Sequence, residues 1–420
     1  MEVYQVIRWW KSIVLQHWTK MVTRRALLRN LASLPLVGGL FSTGLLAGSP
    51  VPIQGIRRDY FKELGVRTFI NAAGTYTFMT GSLMHPEVID AYNYATNEYV
   101  LLDDLQDKVG ERIARLLQCE AATVTSGAAS AITLGTAAVL AGMDPEKVVQ
   151  IPDLTGMKSE VIFQKSHRIG YAHAIRNCGV KIVEVETRKE LEKAINEKTA
   201  MMWFFNGNNF VGEIQDKEFV EIAQKHGIPT FNDCAADVPP VENLWKYTNM
   251  GFDMVAFSGG KGLRGPQSTG LLLGKKKYID AARLHAPPRG NTVGRGMKVN
   301  KEEVLGMLVT IESYLSRDHK ADWTLWEKQI QIIHDAVADI EGVMPEIHVP
   351  KVANHVPSLN ISMDPDKIGW TPDKVRKELK EGHPSIETVG GSKSIGITTW
   401  MMDPGQERIV ASRLREILLS

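Results

Sequence analysis

Along most of this chain, short apolar runs alternate with segments whose apolar residues recur every three or four positions. That is the pattern of strands alternating with helices. The clearest helix covers Asp104–Gln118, where Leu105, Val109, Ile113 and Leu116 share one face and Asp103 or Asp104 can cap the start. Ala121–Thr125 reads as a strand, followed by a glycine turn and an apolar helix from about Ser130 to Leu140. The alternation continues with strands at Val161–Phe163 and Lys181–Val185 around a helix containing Ala172–Asn177. Leu191, Ala194 and Ile195 mark a helix before the strand Met201–Phe205. Phe219, Ile222 and Ala223 mark another, which Gly227 stops ahead of the strand Pro229–Asp233. Val255–Phe257 and Gly270–Gly274 add two strands. Repeated crossovers predict an α/β fold with a mostly parallel sheet covered by helices on both faces.

Beyond Pro287 the pattern changes. Two long helices are expected over 301–317 and 324–340, the second carrying Trp326, Ile330, Ile333 and Val337. Short strands follow at Glu346–Val349 and Ser358–Met363, then helices near 372–380 and 405–418. The reading is a large domain over residues 51–295 and a smaller carboxy-terminal α+β domain over 296–420, with the linker between Arg289 and Lys301.

Composition narrows the class. A chain of 420 residues, 44% apolar, can bury a large core and a satellite. Its formal charge of +1 and its lack of a basic patch interleaved with aromatics give no case for a nucleic-acid partner. Cys119, Cys178 and Cys234 have neither metal-site spacing nor a disulfide framework, so no metal is expected. The first fifty residues differ from the rest. Arg24–Arg25 precede an almost uncharged stretch, Asn30–Ser49, whose glycines keep it weakly hydrophobic. This resembles a twin-arginine export signal, with Met21 as a candidate start, and predicts a periplasmic or exported protein without a stable membrane span. The competing expectation is an uncleaved anchor or an amphipathic leader on a cytoplasmic enzyme.

Chemistry gathers at the strand ends. Lys261 lies in Ser258-Gly259-Gly260-Lys261-Gly262, directly after an apolar strand. Ser126-Gly127-Ala128-Ala129-Ser130 separates a strand from a helix, and its small side chains let backbone N–H groups approach an anion. Asp233 closes a strand, with Asp237 as a competitor four residues on. A phosphate cradle, an acid for a pyridine nitrogen and a lysine are the parts that hold pyridoxal phosphate as a Schiff base. Ser258 can donate to the phosphate, and His167 is a flat group suited to stacking on the ring.

The segments Phe257–Gly270, Ile70–Thr75 and Thr125–Ser130 resemble those of the seryl-tRNA selenium transferase (selenocysteine synthase) family, and more closely its non-tRNA ammonia-lyase relatives. The resemblance covers roughly residues 55–418. It implies a fold-type-I pyridoxal-phosphate enzyme, active as a homodimer or higher oligomer. It places the cofactor linkage on Lys261, the pyridine contact on Asp233, and phosphate contacts on Ser126, Gly127, Ala128 and Ser258. The loop Gly294-Arg295-Gly296 is expected to reach a neighbouring subunit's phosphate. Asn71, Arg168, Gln267, Arg289 and Arg295 are the candidate substrate contacts. The function expected is a lyase that deprotonates Cα of a small free amino acid and eliminates its β-substituent, giving ammonia and a keto acid. Selenium transfer to seryl-tRNA, racemisation, transamination and an inactive binding protein are the rivals. The export-like segment stands where the tRNA enzymes carry their tRNA-binding domain, which tells against the first.

Overall fold

A computed structural model describes residues 58–420. The arginine pair and the export-like segment lie outside these described residues. In chain order the strands are β1 (Ile70–Asn71), β2 (Ala121–Thr125), β3 (Glu160–Gln164), β4 (Lys181–Val185), β5 (Thr199–Phe205), β6 (Thr230–Asp233), β7 (Met254–Ser258), β8 (Gly270–Gly274), β9 (Val343–His348), β10 (Ser358–Met363), β11 (Ile386–Glu387), β12 (Val389–Gly390) and β13 (Ser394–Thr398). The helices that matter for the site are α1 (Pro86–Ala95), α2 (Leu102–Leu116), α3 (Ala128–Ala141), α4 (Asp216–His226), α5 (Lys276–His285), α6 (Lys301–Ser316), α7 (His319–Asp335), α8 (Pro372–Glu381) and α9 (Gln406–Leu418).

Strands β2 to β8 form a seven-stranded sheet in the order β2-β8-β7-β6-β5-β3-β4. Only β8 runs against the others, antiparallel to both β2 and β7. Burial on both faces explains why these strands read as unbroken apolar runs. Along β5, Met202 and Phe204 enter one core while Met201 and Trp203 enter the other. Helix α3 is buried nearly all round, as its almost wholly apolar sequence requires. Edge strand β2 is covered by α2, whose buried Gln106 bonds the Val124 backbone at both N–H (3.3 Å) and C=O (3.0 Å).

A second, antiparallel sheet has the order β12-β13-β10-β9. Its inner face packs with α7 and α9 around Ile330, Leu359, Ile397 and Leu414. Residues 70–72 join this carboxy-terminal core, because β1 pairs in parallel with β11 and both Ile70 and Ala72 are buried there. Conversely, α6 lies beyond the expected linker yet contributes Val304, Met307 and Ile311 to the core under the large sheet.

Two local expectations are corrected. Leu101, not an aspartate, occupies the cap position of α2; the Asp103 carboxylate is drawn instead to Arg283 and Arg289, at 2.9 and 2.6 Å. Helix α7 starts at His319, five residues before its apolar periodicity becomes visible, because the Asp318 side chain accepts the Ala321 N–H at 2.9 Å.

Candidate active site

The parallel strands deliver their carboxy-terminal ends to one edge of the large sheet, where ligands of open α/β sheets bind. Register places Thr125, Gly270 and Ser258 in one row across β2, β8 and β7. The turn Ser126–Ala128 and the lysine loop therefore leave the sheet side by side. Gly270 is needed at this crossing: a Cβ there would lie 2.4 Å from the Gly127 carbonyl carbon and 2.6 Å from the Ala128 nitrogen. Gly127 is the cap residue of α3 and supplies no side chain, so the first-turn N–H groups of that helix have no capping partner of their own. Ser126 Oγ lies 2.9 Å from Ser130 Oγ.

Asp233 ends β6, beside β7. It is buried, and among the described residues the one donor to its carboxylate is the Ala235 N–H at 3.1 Å. Burial pushes its carboxyl up to about 6, against the pull of Lys261. Asp237 is likewise buried and raised to about 6. Its Oδ1 is committed elsewhere, accepting Asn206 Nδ2 at 2.8 Å and the Ala353 N–H at 3.1 Å. Asp237 ties the chain together; Asp233 keeps acceptor capacity for another group. Lys261 follows β7 in a loop so close to its neighbours that a Cβ on Gly262 would lie 2.0 Å from the Val238 oxygen. Burial lowers its ammonium pKa, with Asp233 and Asp237 opposing.

Lys261 lines a cavity of about 480 Å³. One wall is the segment Ala73–Thr77. The carboxy-terminal sheet and the loop before it add Asn354, Asn360, Thr398 and Trp400 to the lining beside it. Tyr171 and His348 complete the rim. Sequence reasoning did not single out these carboxy-terminal residues, since no motif surrounds them. The one available signal was a tryptophan directly after an alternating strand.

The expected substrate contacts are dispersed. Asn71 Oδ1 accepts the N–H groups of Ala73 (3.1 Å) and Gly74 (2.9 Å), and its Nδ2 donates to the Gly74 carbonyl. It shapes the cavity wall from within its own turn. Arg168 is exposed and ion-paired with Glu184. Arg289 is held by Asp103. Gln267 is exposed and donates to the Thr77 carbonyl at 3.4 Å. Arg295 and Gly296 are exposed in the segment before α6. His167 is fully buried, accepts the Phe205 N–H at Nδ1 (3.2 Å) and packs edge-on to Phe204 at 4.4 Å. Burial holds its pKa down at about 4, so the ring is neutral. No ring face is open to stacking in this arrangement, which the sequence did not foretell.

A family model described as L-seryl-tRNA selenium transferase matches residues 69–341. The chain belongs to this selenium transferase family. Its relatives within the family are not equally near. D-glucosaminate-6-phosphate ammonia lyase of Salmonella typhimurium is 31% identical over 375 residues, spanning 86% of this chain and 98% of that one. A solved structure of D-glucosaminate-6-phosphate ammonia-lyase superposes with a TM-score of 0.75 at 28% identity, over 86% of this chain and 99% of the other. The L-seryl-tRNA(Sec) selenium transferase of Alkaliphilus oremlandii is 26% identical, but the match spans 61% of this chain and only 58% of that enzyme. The fold is also shared, at 14% identity and a TM-score of 0.55, with SPT carrying PLP.

The fold is thus that of fold-type-I enzymes, and the family's cofactor is pyridoxal phosphate. The residues present fit this group. A glycine-dependent cradle with uncapped helix N–H groups suits its phosphate, a buried carboxylate with a free acceptor suits its ring nitrogen, and a lysine with a lowered pKa suits its aldehyde.

Proposed function

We propose that this chain is a pyridoxal-phosphate lyase that takes the Cα proton of a small free amino acid and expels its β-hydroxyl as water, after which hydrolysis of the unsaturated amine releases ammonia and a keto acid. One observation carries the reading: a partly buried lysine, its pKa lowered by burial, lines a cavity large enough for an amino acid, beside a buried carboxylate. The near full-length match to an ammonia lyase supports it, against a match to little over half of a tRNA-dependent relative.

Pyridoxal phosphate, when bound, supplies a sink for the electrons left at Cα. Lys261 would hold the cofactor and then, as a free amine, take the Cα proton; its lowered pKa favours the neutral form this needs. Asp233, as a carboxylate, would hold a proton at the ring nitrogen by accepting its hydrogen bond, an attraction that its low-dielectric surroundings strengthen. Ser126–Ala128 and Ser258 would bind the phosphate and fix the ring against the lysine. The wall at Ala73–Thr77 and Trp400 would keep water from the reacting carbons.

D-glucosaminate 6-phosphate, on which the Salmonella relative acts by name, is the first substrate to try. The test is an absorbance spectrum of purified wild-type and Lys261→Ala protein, with ammonia release measured across D- and L-amino acids and that compound. A visible band lost in the variant, together with ammonia release, supports the lyase. A wild-type protein that takes up no cofactor sinks it, and retained RNA with no ammonia favours the selenium-transfer rival.

Two further expectations belong to this reading. The protein would work as a homodimer or higher oligomer, with the loop Gly294–Gly296 serving a neighbouring copy, which sedimentation would check. It would be exported through Arg24–Arg25; an Arg24→Lys, Arg25→Lys double variant that leaves the exported fraction unchanged would remove that claim.

A further inference from the structure

Asp237 is a buried carboxylate that the proposed reaction leaves unused. Its surroundings are those of a joint. Oδ1 accepts from two places far apart in the chain: Asn206 Nδ2, directly after β5, at 2.8 Å, and the Ala353 N–H, between β9 and β10, at 3.1 Å. Asn206 is itself braced, because its Nδ2 also donates to Tyr247 Oη at 2.8 Å. The Asp237 main chain is held as well. Its N–H donates to the Cys234 carbonyl at 3.1 Å, and its carbonyl accepts Asn243 Nδ2 at 2.7 Å. These partners belong to the large sheet's edge and the helix Asn243–Met250, so the carboxylate is fixed on that side.

Ala353 lies on the other side. It and Asn354 both adopt left-handed conformations, with φ of 51° and 48°, which non-glycine residues rarely do in succession. Such a turn persists only where its surroundings hold it. Two bonds do so, both to the stretch that follows Asp233: Ala353 N–H to Asp237, and Asn354 N–H to the Ala236 carbonyl at 2.7 Å. The same segment supplies His348, Pro350 and Asn354 to the lining of the Lys261 cavity. Charge favours the joint too. Burial raises the Asp237 carboxyl to about 6, while Asn206, Ala353, Lys261 and Lys246 all favour its ionised form, the stronger acceptor for two N–H groups. Asp233 takes only the Ala235 N–H among the described residues and has no bond to this segment.

We propose that Asp237 is a positioning residue: by clamping the turn Ala353–Asn354 to the edge that carries Asp233, it seats residues 348–354 against the Lys261 cavity and so sets how tightly that cavity holds an amino acid. This rests on Lys261 being the centre of an amino-acid site, and not on elimination being the reaction.

The experiment combines two measurements on protein supplied with pyridoxal phosphate. Hydrogen exchange is followed in peptides spanning residues 349–357, and dissociation constants are taken from the change in cofactor absorbance. The ligands are norvaline and norleucine in both configurations, which have no β-hydroxyl to expel. In wild type the Ala353 and Asn354 amides should exchange on the order of a hundredfold more slowly than in an unstructured chain. Asp237→Ala should remove the protection at Ala353 and weaken binding about tenfold, equivalent to about 1.4 kcal/mol, with the cofactor spectrum unchanged. Asp237→Asn keeps an acceptor oxygen and should stay within about threefold of wild type in affinity. Ala353→Gly, which adopts the left-handed conformation without strain, should recover part of the loss in the Asp237→Ala background. Unprotected amides in wild type overturn the clamp, whether or not Asp237→Ala folds. So does Asp237→Ala protein that binds as wild type does, or Asp237→Asn protein as impaired as Asp237→Ala, which would assign the role to charge alone. A protein that takes up no cofactor removes the amino-acid site and leaves the exchange result standing; a cofactor band with unprotected amides does the reverse.

Discussion

The two walls of the Lys261 cavity are built by different means. The large sheet's edge, which gives the cavity Lys261, gathers Ser126–Ala128, Asp233 and Ser258–Lys261 from strand ends, so sheet register fixes their relative positions. The facing wall draws Ala73–Thr77, Asn354, Thr398 and Trp400 from three distant stretches, meeting through β1 on β11 and through Thr398 N–H to the Ala72 carbonyl at 2.9 Å. A register-fixed edge suits a cofactor whose chemistry does not change across relatives. A wall assembled from loops and a small sheet can vary its side chains without disturbing that edge, and this is where substrate choice belongs.

The comparison breaks most readily at Lys261. Lys261→Ala should remove the visible absorbance of the lysine-bound cofactor and lower turnover by about 10²–10⁴-fold or more, while the fold, probed by circular dichroism, stays intact. Unaltered absorbance would move the cofactor's attachment off this edge altogether.

Asp233 gives a smaller effect, read as stability. Its folded-state pKa of about 6 lies above the ordinary carboxyl value, so the folded chain holds that proton more tightly than the unfolded chain does. The contribution is therefore intact below about pH 4 and lost as pH rises towards and past 6. In cofactor-free protein, Asp233→Asn should raise the melting temperature at pH 8, by on the order of 2 kcal/mol in stability, and not at pH 4. The same variant should bind pyridoxal phosphate more weakly. A variant less stable than wild type at pH 8 would show that the carboxylate is paired rather than isolated.

On the facing wall, Asn71→Ala removes three short hydrogen bonds that shape the turn Asn71–Gly74. The expected result is a KM raised about tenfold with the cofactor spectrum unchanged. A lost cofactor band instead would mean that this wall, too, serves the cofactor.

How much of this could be read from the chain follows the same division. The apolar runs of β5 to β7 and the glycine-bounded Lys261 are local signals, and each predicted element is present within a few residues. The facing wall is not local. Trp400 becomes a cavity residue only because β13 pairs with β10 and β1 joins the carboxy-terminal core, pairings that leave no mark on residues 398–400 themselves. The exchange at α6 has the same origin: its periodicity is plain, but which core it faces depends on packing against α1 and α2. His167 shows the limit for side chains. Its place after β3 was legible, while its enclosure beside Phe204 depended on β5, whose Phe205 N–H it accepts across 38 residues of chain.

The smallest effect is expected at Arg168, one of the arginines that the sequence offered for gripping a substrate carboxylate. It stands next to His167, so proximity in the chain favoured it. Its guanidinium instead meets Glu184 at the far edge of the sheet, where the side chain is 68% exposed. Exposed pairs of this kind contribute little to stability, because water already solvates both charges. Arg168→Ala should therefore change kcat/KM less than twofold and leave the melting temperature within a degree or two. A tenfold loss of kcat/KM in this variant would mean that the exposed end of β3 reaches substrate in the working enzyme, and that a second copy of the chain brings it there. With that loss absent, Arg168 has no part in the carboxylate grip, and its pairing with Glu184 accounts for where its charge goes.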